Sequence, residues 1–175
     1  MSIVLHPLEI SHSERIMQIE RLSFHEKVCE DAGVYRRRIE TFPQGNLGFF
    51  FNGLLIGFFC SELWRHEREY DVERFRLSHD ITRFFDRDGT DLYISSFALD
   101  GSYRNELRGK QAFFLAMDHM HRTCTVESAI LLVSDQWTAA REIYRQWGFT
   151  EVQRIPCCFP DAAEGIIMRA RFARS

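Results

Sequence analysis

The run SAILLVS at 128–134 constrains the fold more than any other part of the chain. A half-exposed strand alternates apolar and polar residues, whereas a strand apolar at almost every position is covered on both faces. The chain must therefore place layers on both sides of a sheet. The next segment, AREIYRQWGFTEV at 140–152, says how one layer begins. Ala140, Ile143, Tyr144 and Trp147 recur at i, i+3, i+4, i+7 and so share one helical face. Gly148 is the natural left-handed stop, having no Cβ to clash. A strand follows at 150–155. Tyr144 is thus predicted on the buried face of a helix, a phenol held in a cleft.

The other segments fit the same plan. A strand is predicted near 3–8, then a helix over 11–22 with a Ser cap and Glu14 in its first turn. A second helix is expected over 31–41, ending before Pro43. Asn52-Gly53 between the apolar runs 46–51 and 54–63 is the strongest short-range hairpin signal. The stretch 64–89 is polar and long for a connection, which points to a functional loop or short helices. DLYISSFALD at 91–100 reads as a central strand, 107–123 as a helix apolar almost all round in its first half, and 165–172 as a last strand. The alternation predicts a single α/β domain spanning 1–175, with a mixed, mostly antiparallel sheet and helices on both faces.

Composition narrows the function. A formal charge of −3 with no basic stripe argues against a nucleic-acid partner. No apolar run approaches the ~20 residues of a membrane span. The N-terminal MSIVLHPLEISHSER lacks a signal-peptide shape, so a cytoplasmic protein with reduced thiols is expected. The five cysteines have no metal-ligand spacing, and His119 and His121 point apart on a helix, so no metal is expected. The 16 phenylalanines fall in groups such as Phe49-Phe50-Phe51 and Phe113-Phe114. They read as core packing, or as the lining of an acyl or aromatic pocket. Arg36-Arg37-Arg38 and Arg65-His66-Glu67-Arg68 read as solvated faces.

The segment 140–149 resembles the Ala-x-x-x-Tyr-x-x-x-Gly-Phe signature of the GNAT (Gcn5-related) N-acetyltransferases, and the element order is also theirs. The resemblance covers nearly the whole chain and is specific from about Gly48 onward. It implies an acetyl-CoA-dependent transferase acting directly on a primary amine, with Tyr144 as general acid for the CoA thiolate and a site contact to the cofactor. A phenol is protonated at neutral pH and outranks a thiol in pKa, so the phenol holds a proton to give as the thiolate departs. A non-catalytic acyl-CoA-binding module is the rival reading.

The same resemblance assigns the remaining positions. YRNELRGKQ at 103–111 stands where an Arg/Gln-x-x-Gly-x-Gly/Ala loop meets a helix N-terminus, which attracts phosphates. Arg104 takes the first place and Gly109 the last glycine, while Leu107 occupies the first glycine. Asn105, Arg108 and Lys110 complete the expected cradle. Backbone groups at Phe97, Ala98 and Leu99 are expected to pair with the pantetheine. LLIGFFCSELWRHEREY at 54–70 is similar to the arylalkylamine (serotonin) N-acetyltransferases, which implies a small aromatic or aliphatic amine. A protein N-terminal or lysine amine is the alternative acceptor.

That branch has two histidines where this chain has Tyr93 and Ser95. Amine deprotonation then falls to water ordered by Tyr93 and Ser95, or to Glu62, for which structural pairing is an equal reading. Trp137 replaces a cofactor-contacting Asn and reads as packing. His66 and His79 read as substrate contacts or as solvated, and Asp100 as a turn cap. Acyl-CoA and an amine are the expected partners of a monomer or homodimer.

Overall fold

The computed structural model describes residues 2–173, with Glu106 and Leu107 described by backbone alone. Strand β1 (Val4–Pro7) leads through a 3-10 turn into helix α1 (Ser13–Ser23), and α2 (Ala32–Thr41) follows. The hairpin β2 (Asn46–Phe51) and β3 (Leu54–Trp64) turns at Asn52 and Gly53, with φ of 52° and 77°. Two positive φ angles in succession match the right-handed twist of the strands, which is why the Asn-Gly pair selects this turn. After the crossing 65–90 come β4 (Asp91–Leu99), α3 (Glu106–Thr123), β5 (Ser128–Ser134), α4 (Thr138–Trp147), β6 (Thr150–Ile155) and β7 (Gly165–Arg171). Among the described residues no helix is long and apolar enough to cross a membrane.

The seven strands form one sheet in the order β1-β2-β3-β4-β5-β7-β6. Every pair is antiparallel except β4–β5. A parallel pair needs a crossover, and α3 supplies it. One face of the sheet packs Ile56, Phe59, Leu92, Leu131 and Met168 against Phe113, Met117 and Tyr144 of α3 and α4. The opposite face packs Leu55, Phe58 and Ala98 against Ile16 and Ile19 of α1 and Tyr35 and Ile39 of α2. Beyond β4 that second face is covered differently from the sequence expectation. Trp64, Tyr93, Ile130 and Ile167 lie under Tyr70 and Phe75 of the crossing, Phe75 closing the short 3-10 helix Val72–Phe75, and not under an α-helix.

Two local readings are corrected. The cap of α1 is His12, not a serine, and its side chain makes no cap bond; Ser13 Oγ instead donates to Ile10 O at 2.6 Å. A 3-10 turn closed by Glu9 and His12 precedes the helix and displaces its start. Arg38 is not on a solvated face: it is 2% exposed and bonds Glu30 bidentately, Nη1 to Oε2 at 2.6 Å and Nη2 to Oε1 at 2.9 Å. Its spacing from Val34 and Tyr35 puts it on the buried stripe of α2.

Strand β4 is pinned at its start and bent in its middle. The fully buried Asp91 accepts from Tyr70, Ser128 and Arg169 Nη2, the last at 3.2 Å. The middle carries a bulge: Cys60 of β3 pairs with Ser96 and Ser61 with Ile94, leaving Ser95 unpartnered. One extra residue shifts the side-chain alternation. Leu92 and Ile94 face the α3–α4 core before the bulge, and Phe97 and Leu99 do so after it.

Helix α4 is fixed at both ends. Gly148 takes φ 118°, and the amides of Gly148 and Phe149 both return to Tyr144 O, at 3.2 and 3.0 Å. Glu151 of β6 accepts from Arg141 and Arg145 of α4, both at 2.9 Å, and from Arg154 at 2.8 Å. Hydrogen bonds from Arg141 and Arg154 pull its carboxyl down from 4.5 to about 2. A carboxyl lowered by folding adds stability above its unfolded value, and that stability is lost as pH falls toward the folded one. Glu151→Gln is therefore expected to lower the melting temperature slightly at pH 7, by the ~0.2–1 kcal/mol of a partly exposed pair. The difference from wild type should close as pH falls from about 4.5 to about 2, read by thermal melts across that range.

Candidate active site

The parallel pair β4–β5 runs only from Asp91↔Ser128 to Ile94↔Leu131. Beyond it the strands part, because the bulge at Ser95 turns β4 away while β5 stays paired to β7 along its whole length. The backbone edge of β4 from Ser95 to Leu99 has no β5 partner, and unpaired strand groups in a protein interior need one. A cavity of about 880 Å³ occupies this opening. Ser95, Phe97, Ala98 and Leu99 form one wall, Leu132 and Val133 another, and Tyr144 closes it from α4.

At one end stands the start of α3. Asn105 is its N-cap in an extended conformation, and its side-chain oxygen accepts from Arg108 N at 2.9 Å. Arg104, Asn105, Gly109 and Lys110 line the cavity there, joined by Arg145 from α4. A helix N-terminus with three nearby cations is a site for anions. Gly109 serves packing: a Cβ there would meet Ile143 Cδ1 at 3.0 Å, so its absence lets α3 close on α4. Leu107 lies within the first turn of α3, where the backbone is right-handed, so the position makes no demand for glycine. The Leu107 side chain lies outside the described atoms.

Arg108 departs from the sequence expectation. It donates from Nη1 to Tyr103 O at 3.4 Å, lies over the Phe51 ring at 5.9 Å, and lines a separate, smaller cavity with Phe51 and Tyr103. Helical rotation explains this, since Arg108 and Lys110 are two positions apart and point in different directions.

Tyr144 projects from the buried face of α4 and is 7% exposed. Its ring packs on Phe113 at 4.9 Å and on Phe149 at 6.0 Å. Among the described residues its hydroxyl has no hydrogen-bond partner. Burial pushes the phenol well above its ordinary pKa, so it keeps its proton across the neutral range. Trp137 lines the cavity between Phe24 and Phe159, with ring centroids 5.6 and 5.4 Å away.

The far end of the cavity is built from α1, α2, β4 and the crossing. Ser95 Oγ donates back to Cys60 O at 3.3 Å. Tyr93 is stacked on Trp64 at 4.1 Å, and burial, followed by the charge of Glu62, raises its phenol. Glu20, Glu30 and Arg38 reach this wall. Glu20 accepts from Glu30 N at 2.9 Å and Tyr35 Oη at 2.7 Å, and burial raises its carboxyl although those bonds lower it. Glu30 also accepts from Ser78 N at 2.7 Å, tying the crossing to the α1–α2 connection.

Glu62 is fully buried but does not line the cavity. His79 stands before it, with Nε2 2.7 Å from Glu62 Oε1, and lines the cavity itself. The structure thus places Tyr93, Ser95 and Tyr144 on the cavity and Glu62 one side chain behind it. His66 lies elsewhere, 3.3 Å from Asp91. Asp100 accepts from Ser102 N at 2.8 Å, capping its turn, and pairs with Arg15 at 2.6 Å.

No family model matches the sequence, and no curated protein matches it. Solved structures do. The chain is similar to the loading GNATL domain of CurA from Lyngbya majuscula, at a TM-score of 0.80 with 11% identity over 98% of each chain. It is similar to the GphF GNAT-like decarboxylase in complex with isobutyryl-CoA, at 0.79 with 13% identity over 96% of this chain and 98% of that one. It is also similar to a chain of the NatC complex bound to Gag peptide and CoA, at 0.76 with 19% identity over 99% and 100%. At these identities the likeness shows the fold: the chain has the GNAT fold.

Proposed function

We propose that the chain is an N-acyltransferase that moves an acetyl group from acetyl-CoA directly onto a primary amine. The observation that carries this reading is the parting of β4 from β5 beyond Ile94↔Leu131, which opens one cavity onto a free strand edge, a helix N-terminus and the Tyr144 phenol. The edge at Phe97–Leu99 suits the amides of pantetheine, and Arg104, Asn105 and Lys110 suit its pyrophosphate. CoA or an acyl-CoA in neighbours of the same fold supports that placement.

The amine nitrogen attacks the thioester carbonyl, the carbon–sulfur bond breaks, and Tyr144 gives the leaving thiolate its proton. Tyr93 and Ser95 line the acceptor end and order the amine or a water beside it. A small amine fits better than a protein chain, because the Ser78–Glu30 bond draws the crossing over that end, where Phe75 and Leu77 add apolar surface.

At the α3 end the cations Arg104, Lys110 and Arg145 outnumber the one carboxylate of α4 that lines the cavity, Glu142, whereas Glu20 and Glu30 at the other end are matched by Arg38 and Arg76. Arg104→Ala is expected to weaken acetyl-CoA binding about 10–100-fold, at ~1.5–3 kcal/mol for one charge-assisted contact. Arg108→Ala should leave it unchanged, since Arg108 faces the other cavity. Calorimetric titration of the two variants reads the contrast.

The reading itself is tested by melting the protein with acetyl-CoA, longer acyl-CoAs and free CoA, then by thiol release with a panel of amines. A raised melting temperature and amine-dependent thiol release are expected. No shift at millimolar donor would overturn it.

A further inference from the structure

We propose that Glu20 is the catalytic base of the transfer: its carboxylate receives the acceptor's ammonium group and takes a proton from it. The inference rests on the acyl-transfer reading above, in which Tyr144 supplies an acid and no side chain yet supplies a base.

The two ends of the cofactor site fix where that base must stand. With the pyrophosphate at Arg104–Lys110 and the pantetheine running back along Leu99 to Phe97, the acyl carbon falls beside Ser95 and Ser96. Ser96 Oγ is 3.5 Å from Tyr35 Oη, which donates to Glu20 Oε2 at 2.7 Å. Glu20 is thus one side chain removed from the strand edge, on the α1–α2 side of the sheet. Glu20, Ser23 and Phe24 follow the i, i+3, i+4 spacing of one helix face, and all three line the cavity.

The other carboxylates at that end are committed elsewhere. Glu30 gives both oxygens to Arg38 and one of them also to Ser78 N. Glu62 stands behind His79 and does not line the cavity. Glu20 has only neutral donors, Glu30 N on Oε1 at 2.9 Å and Tyr35 on Oε2. Each carboxylate oxygen carries two lone pairs, so one on each is left for an ammonium group.

Folding alone gives no reason for a charge at this position. Glu20 is 1% exposed and lies in the last turn of α1, where the helix dipole opposes an anion. Among the described residues no cation pairs with it, since Arg38 is turned to Glu30. A glutamine would make the same two bonds, its oxygen accepting from Glu30 N and its nitrogen donating to Tyr35 Oη. Burial raises the carboxyl above its ordinary range, against the two bonds that lower it. The titratable and charged groups that face it are Cys29 and Glu30 from the α1–α2 connection, Tyr35 and Arg38 from α2, and Cys60 from β3. Arg76 and His79 of the crossing line the same cavity.

The burial that raises a carboxyl also lowers an ammonium, so a transfer that runs uphill in water is drawn toward balance here. An alkylammonium gives one proton to Glu20, directly or through one water, which frees the nitrogen lone pair. That pair attacks the thioester, and the carbon–sulfur electrons leave on sulfur. Tyr144 protonates the thiolate and is restored by the second proton shed from the nitrogen. The products are the amide and the CoA thiol, and Glu20 passes its proton to solvent.

The test compares wild type with Glu20→Gln on butylamine, a cation at neutral pH, and on trifluoroethylamine, which is uncharged there. Thiol release is the readout. With butylamine at pH 7, turnover by Glu20→Gln is expected to fall about 100-fold or more, within the range for a lost general base. The deficit should shrink as pH rises, and it should be small with trifluoroethylamine, which needs no proton removed before it attacks. Acetyl-CoA affinity should stay close to wild type. At pH 7 the variant should melt at or above wild type, because a charge that the fold disfavours is gone, and the difference should close as pH falls toward 4.5. Tyr35→Phe removes a bond that lowers the carboxyl, so the acidic limb of its rate profile should move to higher pH. That shift decides alone if the Gln variant does not melt cooperatively. An unmoved limb, full turnover of butylamine, an equal deficit on both amines, or a parallel loss of acetyl-CoA affinity would overturn the proposal and leave the acyl-transfer reading standing. A wild-type protein that binds acetyl-CoA yet transfers to neither amine would remove both.

Discussion

Tyr144→Phe is expected to lower acetyl transfer by about 10²–10⁴ while leaving the fold intact. The substitution keeps the ring that packs on Phe113 and Phe149 and removes only the hydroxyl, which has no partner to lose among the described residues. Nothing buried is left unsatisfied, so the melting temperature should stay within about a degree of wild type. Acetyl-CoA affinity should also change little, because a proton given to a departing sulfur matters as the bond breaks. Steady-state transfer measured beside acetyl-CoA titration checks both halves. A Phe variant with full kcat would leave Tyr144 as a packing residue.

The largest expected effect on stability is at Glu30. Glu30→Gln leaves the Arg38 guanidinium, 2% exposed, without its counter-charge. Breaking a buried pair from one side costs ~3–5 kcal/mol, whereas replacing both partners with apolar groups costs far less. At ~2–4 °C per kcal/mol for a domain of this size, the single variant should melt roughly 10 °C lower. Glu30→Met combined with Arg38→Met should recover much of that loss. Thermal melts of the singles and the double give the coupling, and additive effects would show that the pair acts as two independent contacts. The double variant is also expected to impair turnover, since Glu30 accepts from Ser78 N and so holds the crossing over the acceptor end of the cavity.

The parts of the molecule legible in the sequence are those whose signals are local. Asn52-Gly53 selects its turn by backbone conformation alone, and Gly148 ends α4 in the same way. The apolar run of β5 and the four-residue stripe of α4 needed no knowledge of their neighbours. The parting of β4 from β5 did not share this property. It follows from the bulge at Ser95, which exists only in the pairing of β4 with β3 and leaves no trace in DLYISSFALD.

The acceptor end was obscured for a related reason. His79 and Glu62 belong to segments of different character, a strand and an irregular crossing, and no periodicity links them. Glu62 stood out as a carboxylate in an apolar strand, but its partner did not. Arg38 was readable in principle, since it shares the stripe of Val34 and Tyr35, yet two flanking arginines disguised it as part of a charged surface. Arg108 shows the converse. Sequence adjacency to Gly109 placed it in the cradle, and the rotation of the helix turns it toward Phe51.

The central claim, that an acyl-CoA lies along the open edge of β4, is tested most directly by amide hydrogen exchange with and without saturating acetyl-CoA. Protection is predicted in two places at once: residues 95–99, where the unpaired strand edge gains a partner, and residues 104–110, where α3 begins. The paired stretch 91–94 should not change. Unaltered exchange across 95–99 in protein that demonstrably binds acetyl-CoA would contradict the claim, because the ligand would then occupy some other surface.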